Sequence, residues 1–136
     1  LTEFERFGHL AYYPLAGGDK AAKEAIRPIL GLLEGQFPKL EASAALLAAI
    51  EPDADKIRMI REQIQKGLNT VPTSSLGRLF DAAAALLGLG TKNRFEAELP
   101  MALEAIIEQG IEDGYPIEFQ QNSDVWCIEH EPIVQG

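Results

Sequence analysis

The chain has 136 residues, with 12 Lys and Arg against 21 Asp and Glu for a formal charge of −9, and 46% of its residues are hydrophobic but only 7% aromatic. That length suits one domain, and an acidic chain repels phosphate backbones and anionic lipid headgroups, so electrostatic binding to nucleic acid or to a membrane surface is disfavoured. A single cysteine forms no internal disulfide and fits a reducing, cytoplasmic setting, and the apolar runs Ala44 to Ile50 and Ala82 to Leu87 fall short of the ~20 residues of a membrane-spanning helix.

The chain opens Leu-Thr-Glu-Phe with no basic, apolar leader and closes shortly after Pro132, so it is expected to be a piece of a longer polypeptide with an element truncated at its end. Phe4 to Leu15 mixes aromatics with Pro14 and lacks a helical period, which predicts strand or extended loop. Gly17-Gly18-Asp19 follows, with Asp19 placed to cap a helix through Lys20 to Glu24; Pro28 should break it, giving two short helices before and after. Pro38 to Ile50 is rich in Ala and Leu, and Ile57, Ile60, Ile64 and Leu68 recur at helical spacing after the acidic start Asp53 and Asp55, predicting two amphipathic helices.

Asn69 to Ser75 reads as a loop whose hydroxyls cap the next helix. In that helix Leu76, Leu79, Phe80, Ala83, Leu86 and Leu87 form an apolar stripe expected to face the core, with Gly88 and Gly90 ending it. Phe95, Leu99, Leu103, Ile106 and Ile107 mark a further helix with Pro100 in its first turn, closed by Gly110. Tyr115 to Phe119 and Val125 to Ile128 alternate around polar Gln120 to Asp124, a β-hairpin pattern. The predicted fold is mainly α with a C-terminal β-hairpin.

A second face of the helix after Ser75 is as distinctive as its apolar stripe. Gly77, Asp81, Ala84 and Gly88 share it at i, i+4, i+7 and i+11, so one carboxylate is flanked by residues with almost no side chain, and something must approach closely. Two readings stand: a ligand whose hydroxyls, such as those of a ribose, donate to Asp81, or a helix packed against the small residues with Asp81 paired to Arg78 or solvated. Spacing alone favours packing. Gly17-Gly18-Asp19 and Thr73-Ser74-Ser75 could present amides to a phosphate, although plain helix caps explain both. Cys127 and His130 point to opposite faces of a strand and His9 is remote in sequence, so no metal ligand set is expected. Cys127 reads as a buried small hydrophobe rather than a nucleophile, and Glu108, Glu112, Asp113, Glu129 and Glu131 as solvated surface.

The run Thr73-Ser74-Ser75-Leu76-Gly77-Arg78-Leu79-Phe80-Asp81, continuing through Ala82 to Gly88, closely resembles a motif of the hydrogenase maturation carbamoyltransferase HypF family. Gly8-His9-Leu10 with Tyr13-Pro14-Leu15-Ala16-Gly17-Gly18-Asp19 is similar to that family's "GHL…PFPLPGGD", and order and spacing agree over nearly the whole chain. The family's "YEGQAAMELEA" stands here as Phe95 to Ala105, with Ala97 at the glycine and Ala102 at the first glutamate after the methionine. The resemblance implies a section of a carbamoyl-transferring domain of the actin and sugar-kinase-like ATPase class, related to the tRNA threonylcarbamoyl-transfer enzymes. Its implied division is a helical insertion region over 1–70, nucleotide-site helices over 71–110, and the hairpin and truncated end over 111–136.

The implied activity of the whole enzyme converts carbamoyl phosphate and ATP to carbamoyl adenylate, then passes the carbamoyl group to the C-terminal cysteine of the partner HypE, for the cyanide ligand of a nickel–iron site. By position Asp81 matches the family's nucleotide-binding aspartate, with Gly77 leaving room and Arg78, Ser74 and Ser75 as supporting polar groups; Glu96 and Asp19 complete the implied nucleotide- and substrate-binding set. The family's histidine cluster, Asp-Gly-Thr-Gly and Ser-Gly-Gly motifs are absent from this sequence, so neither a metal ligand nor a catalytic residue is expected here. A competing expectation is an acidic helical interaction module whose Gly77, Asp81 and Ala84 face docks a partner helix.

Overall fold

A computed structural model describes residues 5–35, 44–122 and 124–129. In chain order these form β1 (Gly8–Leu10), β2 (Tyr13–Ala16), a 3-10 turn (Gly18–Ala22), α1 (Ile26–Gly35), α2 (Ala44–Ile50), α3 (Ala54–Lys66), β3 (Thr70–Thr73), α4 (Leu76–Leu86), α5 (Glu98–Ala105), β4 (Glu118–Asn122) and β5 (Val125–Glu129). Helix α1 is the centre: Ile26 to Leu33 are all buried, apolar but for Arg27, whose charge is paired. It lies against β2, α3 and α4. Gly31 makes the closest of these approaches possible, since a Cβ there would fall 2.0 Å from the Pro14 carbonyl oxygen of β2.

The predicted break at Pro28 is displaced. Two helical segments do form, but the boundary falls before Ile26, and Pro28 sits in the first turn of α1, where its missing N–H is no loss. Nor does Asp19 cap the first segment: Gly17 occupies that position in the left-handed region (φ 111°) with no side-chain cap. Its glycine is needed twice over, because a Cβ at this φ would also fall 2.3 Å from Arg27 Nη1. Helix α3 follows expectation as far as Ile64, with Asp53 Oδ1 accepting from the amides of Asp55 (3.0 Å) and Lys56 (3.1 Å) and with Ile60 fully buried, but it ends at Lys66 with Gly67 in the left-handed region, and Leu68 lies beyond it, exposed. Of the helix predicted over Pro38 to Ile50, residues 38–43 lie outside the described residues and 44–50 are helical.

Strand content exceeds the predicted hairpin. The hairpin is present, β4 antiparallel to β5, but β1 joins it in parallel with Gly8 opposite Trp126 and Leu10 opposite Ile128. Thr70–Thr73, expected to be loop, is a strand paired with β2, Pro72 facing Pro14. A two-stranded ribbon tolerates prolines whose absent N–H a central strand would need, which is why turn-like residues concealed it. Residues 8–16 therefore pair both with 70–73 and with 125–128, tying the three predicted segments together.

Helix α4 departs most from expectation. Of the predicted core stripe only Leu79 is buried, while Leu76, Phe80, Leu86 and Leu87 are exposed and the helix turns Asp81, Ala82, Ala84 and Ala85 inward. The helix is gripped between α1 and α5, and close helix packing selects small side chains over large ones. An ion cluster ties the start of α1 to α3: Lys56 Nζ reaches Glu24 (3.0 Å) and Glu51 (2.7 Å), and Arg27, 3% exposed, reaches Glu24 at 2.7 Å. Among the described residues no helix is long and apolar enough to cross a membrane.

Candidate functional site

The start of α4 gathers five of the seven predicted site residues. Ser75 caps the helix, its Oγ accepting from the Arg78 amide at 3.4 Å, and its own amide donates to Thr73 Oγ1 at 3.2 Å. Tyr13 of β2 donates its hydroxyl to the Ser75 carbonyl at 3.4 Å. Burial pushes that phenol up to about 12, with Arg78 lowering and Asp81 raising it, so it stays protonated at neutral pH. Ser74 is half-buried in the same turn.

Asp81 lies one turn further, 1% exposed. Its Oδ1 accepts from Asn93 Nδ2 at 2.9 Å and its Oδ2 stands 3.1 Å from Arg78 Nη1. Burial raises its carboxyl above the usual range, against the lowering effects of the Asn93 hydrogen bond and the Arg78 charge. The Arg78 contact is an ion pair without hydrogen-bond alignment, and Nη1 finds no hydrogen-bond acceptor among the described residues. Of the two readings the spacing left open, the packed one describes this structure at Asp81 and Ala84, which are buried with Asp81 paired to Arg78, whereas Gly77 and Gly88 on the same face stay open, so a foreign helix could not reach Asp81 and Ala84 without displacing this packing.

Asn93 was not foreseen. It joins three elements: Nδ2 donates to Asp81 and to the Ala22 carbonyl (3.0 Å), while Oδ1 accepts from the Leu99 amide (2.8 Å) at the start of α5. Thr91-Lys92-Asn93 reads as linker after two glycines, and the available signal was indirect: a buried aspartate requires a donor from somewhere.

Gly77 behaves differently from the packed glycines. A Cβ there would meet nothing nearer than Ser75 Oγ at 3.8 Å, so the described residues leave room for a methyl at this position. Glycine inside a helix costs roughly 0.5–1 kcal/mol relative to alanine, and nothing in the chain's own packing offsets that cost. Asp19 and Glu96 are exposed and stand apart from the hydrogen bonds around Asp81.

The remaining chemistry is sparse. Cys127 is buried as expected, its thiol pushed up by burial and then by Glu129, the opposite of an activated nucleophile. Strand pairing sets His9 beside Cys127, but the His9 ring stacks on Tyr12 with Nδ1 2.8 Å from the Leu10 carbonyl oxygen. No group of three metal-ligating side chains occurs among the described residues, and His130 lies outside them.

The described residues set a polar cluster at the start of α4 on a scaffold of five helices and two small sheets. Residues 1–136 match the family described as "Carbamoyltransferase, Kae1-like Domain, second subdomain". The chain belongs to the HypF carbamoyltransferase family. It is 35% identical over 121 residues to carbamoyltransferase HypF2 of Cupriavidus necator, covering 82% of this chain and 13% of that protein. It is 31% identical to carbamoyltransferase HypF of Rhizobium leguminosarum bv. viciae, covering 84% of this chain and 15% of that protein. The crystal structure of full-length HypF in the phosphate- and nucleotide-bound form superposes with a TM-score of 0.78 at 32% identity, over 97% of this chain and 16% of that one. The chain therefore spans less than a fifth of the length of these relatives.

Proposed function

We propose that the protein containing these residues is a carbamoyltransferase that uses carbamoyl phosphate and ATP, through carbamoyl adenylate, to carbamoylate the C-terminal cysteine of a HypE-like acceptor, for the cyanide ligand of a nickel–iron hydrogenase. In this reading the 136 residues are part of an actin and sugar-kinase-like domain working in the cytoplasm, and the start of α4 is one wall of its adenylate site. The observation that carries the wall is Gly77, a helical glycine whose open side no part of this chain requires, flanked by the half-buried Arg78 and Ser75.

In this role Gly77 lets the nucleoside approach the helix backbone, with Ser74, Ser75 and Arg78 as supporting polar groups and Asp19 and Glu96 in reserve on the exposed side. Asp81 receives the ribose hydroxyls. Its Oδ1 is held by Asn93, so the hydroxyls take the place of Arg78 at Oδ2, and the 19% exposed Arg78 side chain turns outward. The chain's contribution to rate is placement: it holds the adenylate while groups elsewhere supply the thiolate and stabilise the tetrahedral oxyanion. Alone it is inactive.

The test is calorimetric titration of the full-length protein with a non-hydrolysable carbamoyl-adenylate analogue. Gly77→Leu, whose Cβ would meet nothing nearer than Ser75 Oγ at 3.8 Å, should weaken binding at least ~10-fold, a loss of about 1.4 kcal/mol. Affinity unchanged in a folded Gly77→Leu protein overturns the wall assignment, and no binding by the wild type overturns the transferase reading itself.

A further inference from the structure

The face that α4 presents to solvent is its most apolar one. Leu76, Phe80, Ala83 and Leu87 recur at i, i+4, i+7 and i+11, the seam spacing of two helices packed at a shallow angle. Leu76 is 48% exposed, Phe80 40% and Leu87 61%, with Ala83 half-buried between them. The seam runs for about 16 Å, three turns of helix.

We infer that this seam is covered by a helix from another part of the same polypeptide, outside these 136 residues. Two observations select that occupant. The stripe leaves on the order of 300 Å² of apolar side chain in water, well under the ~800 Å² per partner of a free-standing specific complex, so an occupant must arrive at high effective concentration. A tether supplies it. Most of the polypeptide is available to do so, since the chain spans 13% and 15% of its curated relatives and its family is described as one subdomain of a domain. A second copy is the competing occupant, and dilution distinguishes it.

The inference does not depend on the proposed activity and is tested on the purified full-length protein by the rate of thiol labelling at single sites. Leu87→Cys and Leu76→Cys probe the seam, and Met59→Cys, at a 48% exposed position on α3, is the reference. Native Cys127 is buried and is followed separately by peptide mapping. Both seam positions should label at least ~10-fold more slowly than Met59→Cys in the folded protein, at every protein concentration. Rates equal to the reference overturn the inference, as does slow labelling that becomes fast on dilution, which would identify a second copy. Two seam positions keep the test intact if one variant fails to fold.

Discussion

Helices α3 and α4 begin from similar sequence patterns and end in opposite arrangements. Both follow a capping residue, and both carry apolar residues at helical spacing. In α3 the pattern predicts the outcome: Ile60 is fully buried, Ile57 and Ile64 pack against the core, and Met59 and the charged residues face water. In α4 the large apolar residues face outward while alanines and an aspartate face in. The difference lies in the neighbours. Helix α3 meets the core along one side, whereas α4 is held between α1 and α5, where its buried face carries Leu79 and Asp81 among three alanines. Periodicity identifies an amphipathic helix; the volume available on each side decides which face is buried.

The largest expected effect separates the two directly. Ile60→Ala removes a fully buried side chain from α3 and should cost about 2–5 kcal/mol, whereas Met59→Ala on the same helix should stay within about 0.5 kcal/mol. Amide exchange in α3 reads both. Equal effects would mean that α3 is no better ordered by its core face than by its exposed one.

The next effect is at Asp81. Asp81→Ala leaves Arg78 and Asn93 short of a partner and should cost about 1–3 kcal/mol. Asp81→Asn retains an acceptor for Asn93 and removes a buried charge, so its sign depends on pH. The folded-state value of Asp81 lies above the reference 3.8, so the stability its neutral form contributes is complete below pH 3.8 and is lost as pH rises through the folded value. Relative to wild type, Asp81→Asn should therefore be indistinguishable at pH 3 and more stable at pH 7. Glu24 runs the other way: burial raises its carboxyl, but hydrogen bonds from Lys56 and Arg27 outweigh it and hold it below 4.5. Its contribution is present above pH 4.5 and disappears as pH falls through the folded value, so Glu24→Gln should lose stability at pH 7 and less in acid. Exchange protection of α4 and α1 across that range checks both slopes, and parallel slopes would refute the contrast.

Helix caps give a smaller, finer comparison. Asp53 accepts from two amides at 3.0 and 3.1 Å, and Ser75 from one at 3.4 Å. Replacement by alanine should cost about 1 kcal/mol at Asp53 and less at Ser75. First-turn amide exchange in each helix reports the order, and a larger loss at Ser75 would show that something beyond the cap holds α4 in place.

What could be read from the residues divides along the same line. The helical segments, the hydroxyl cap of α4, the hairpin and the buried Cys127 depend on neighbours in sequence and were legible, although the cap expected at Asp19 falls to Gly17. Which face of α4 is buried, the β2–β3 ribbon, and the Asn93 contact to Asp81 depend on residues far apart in the chain, and periodicity carries no information about them. At the candidate site the cluster from Ser74 to Asp81 was legible because it lies within a single turn and a half of chain; its state was not, since the carboxylate's partner comes from the segment before α5.

Ala97 shows how a local departure acquires meaning only in the fold. The resembling family motif has glycine at this position, and the substitution suggests at first a methyl crowding a ligand. In the structure Ala97 is the residue before α5 and has φ 61°, a left-handed conformation in which an L side chain costs about 1–2 kcal/mol. Glycine there relieves backbone strain whether or not a ligand is near. Ala97→Gly should thus stabilise the start of α5, but glycine also enlarges the unfolded ensemble by about 0.4–1 kcal/mol, leaving a net gain of about 0.5–1 kcal/mol. Amide exchange of Met101, whose N–H donates to the Ala97 carbonyl at 2.9 Å, reads the gain at its source. Slower exchange at Met101 with unchanged nucleotide affinity would assign the family's glycine to the backbone, whereas a rise in affinity without slower exchange would return it to the ligand.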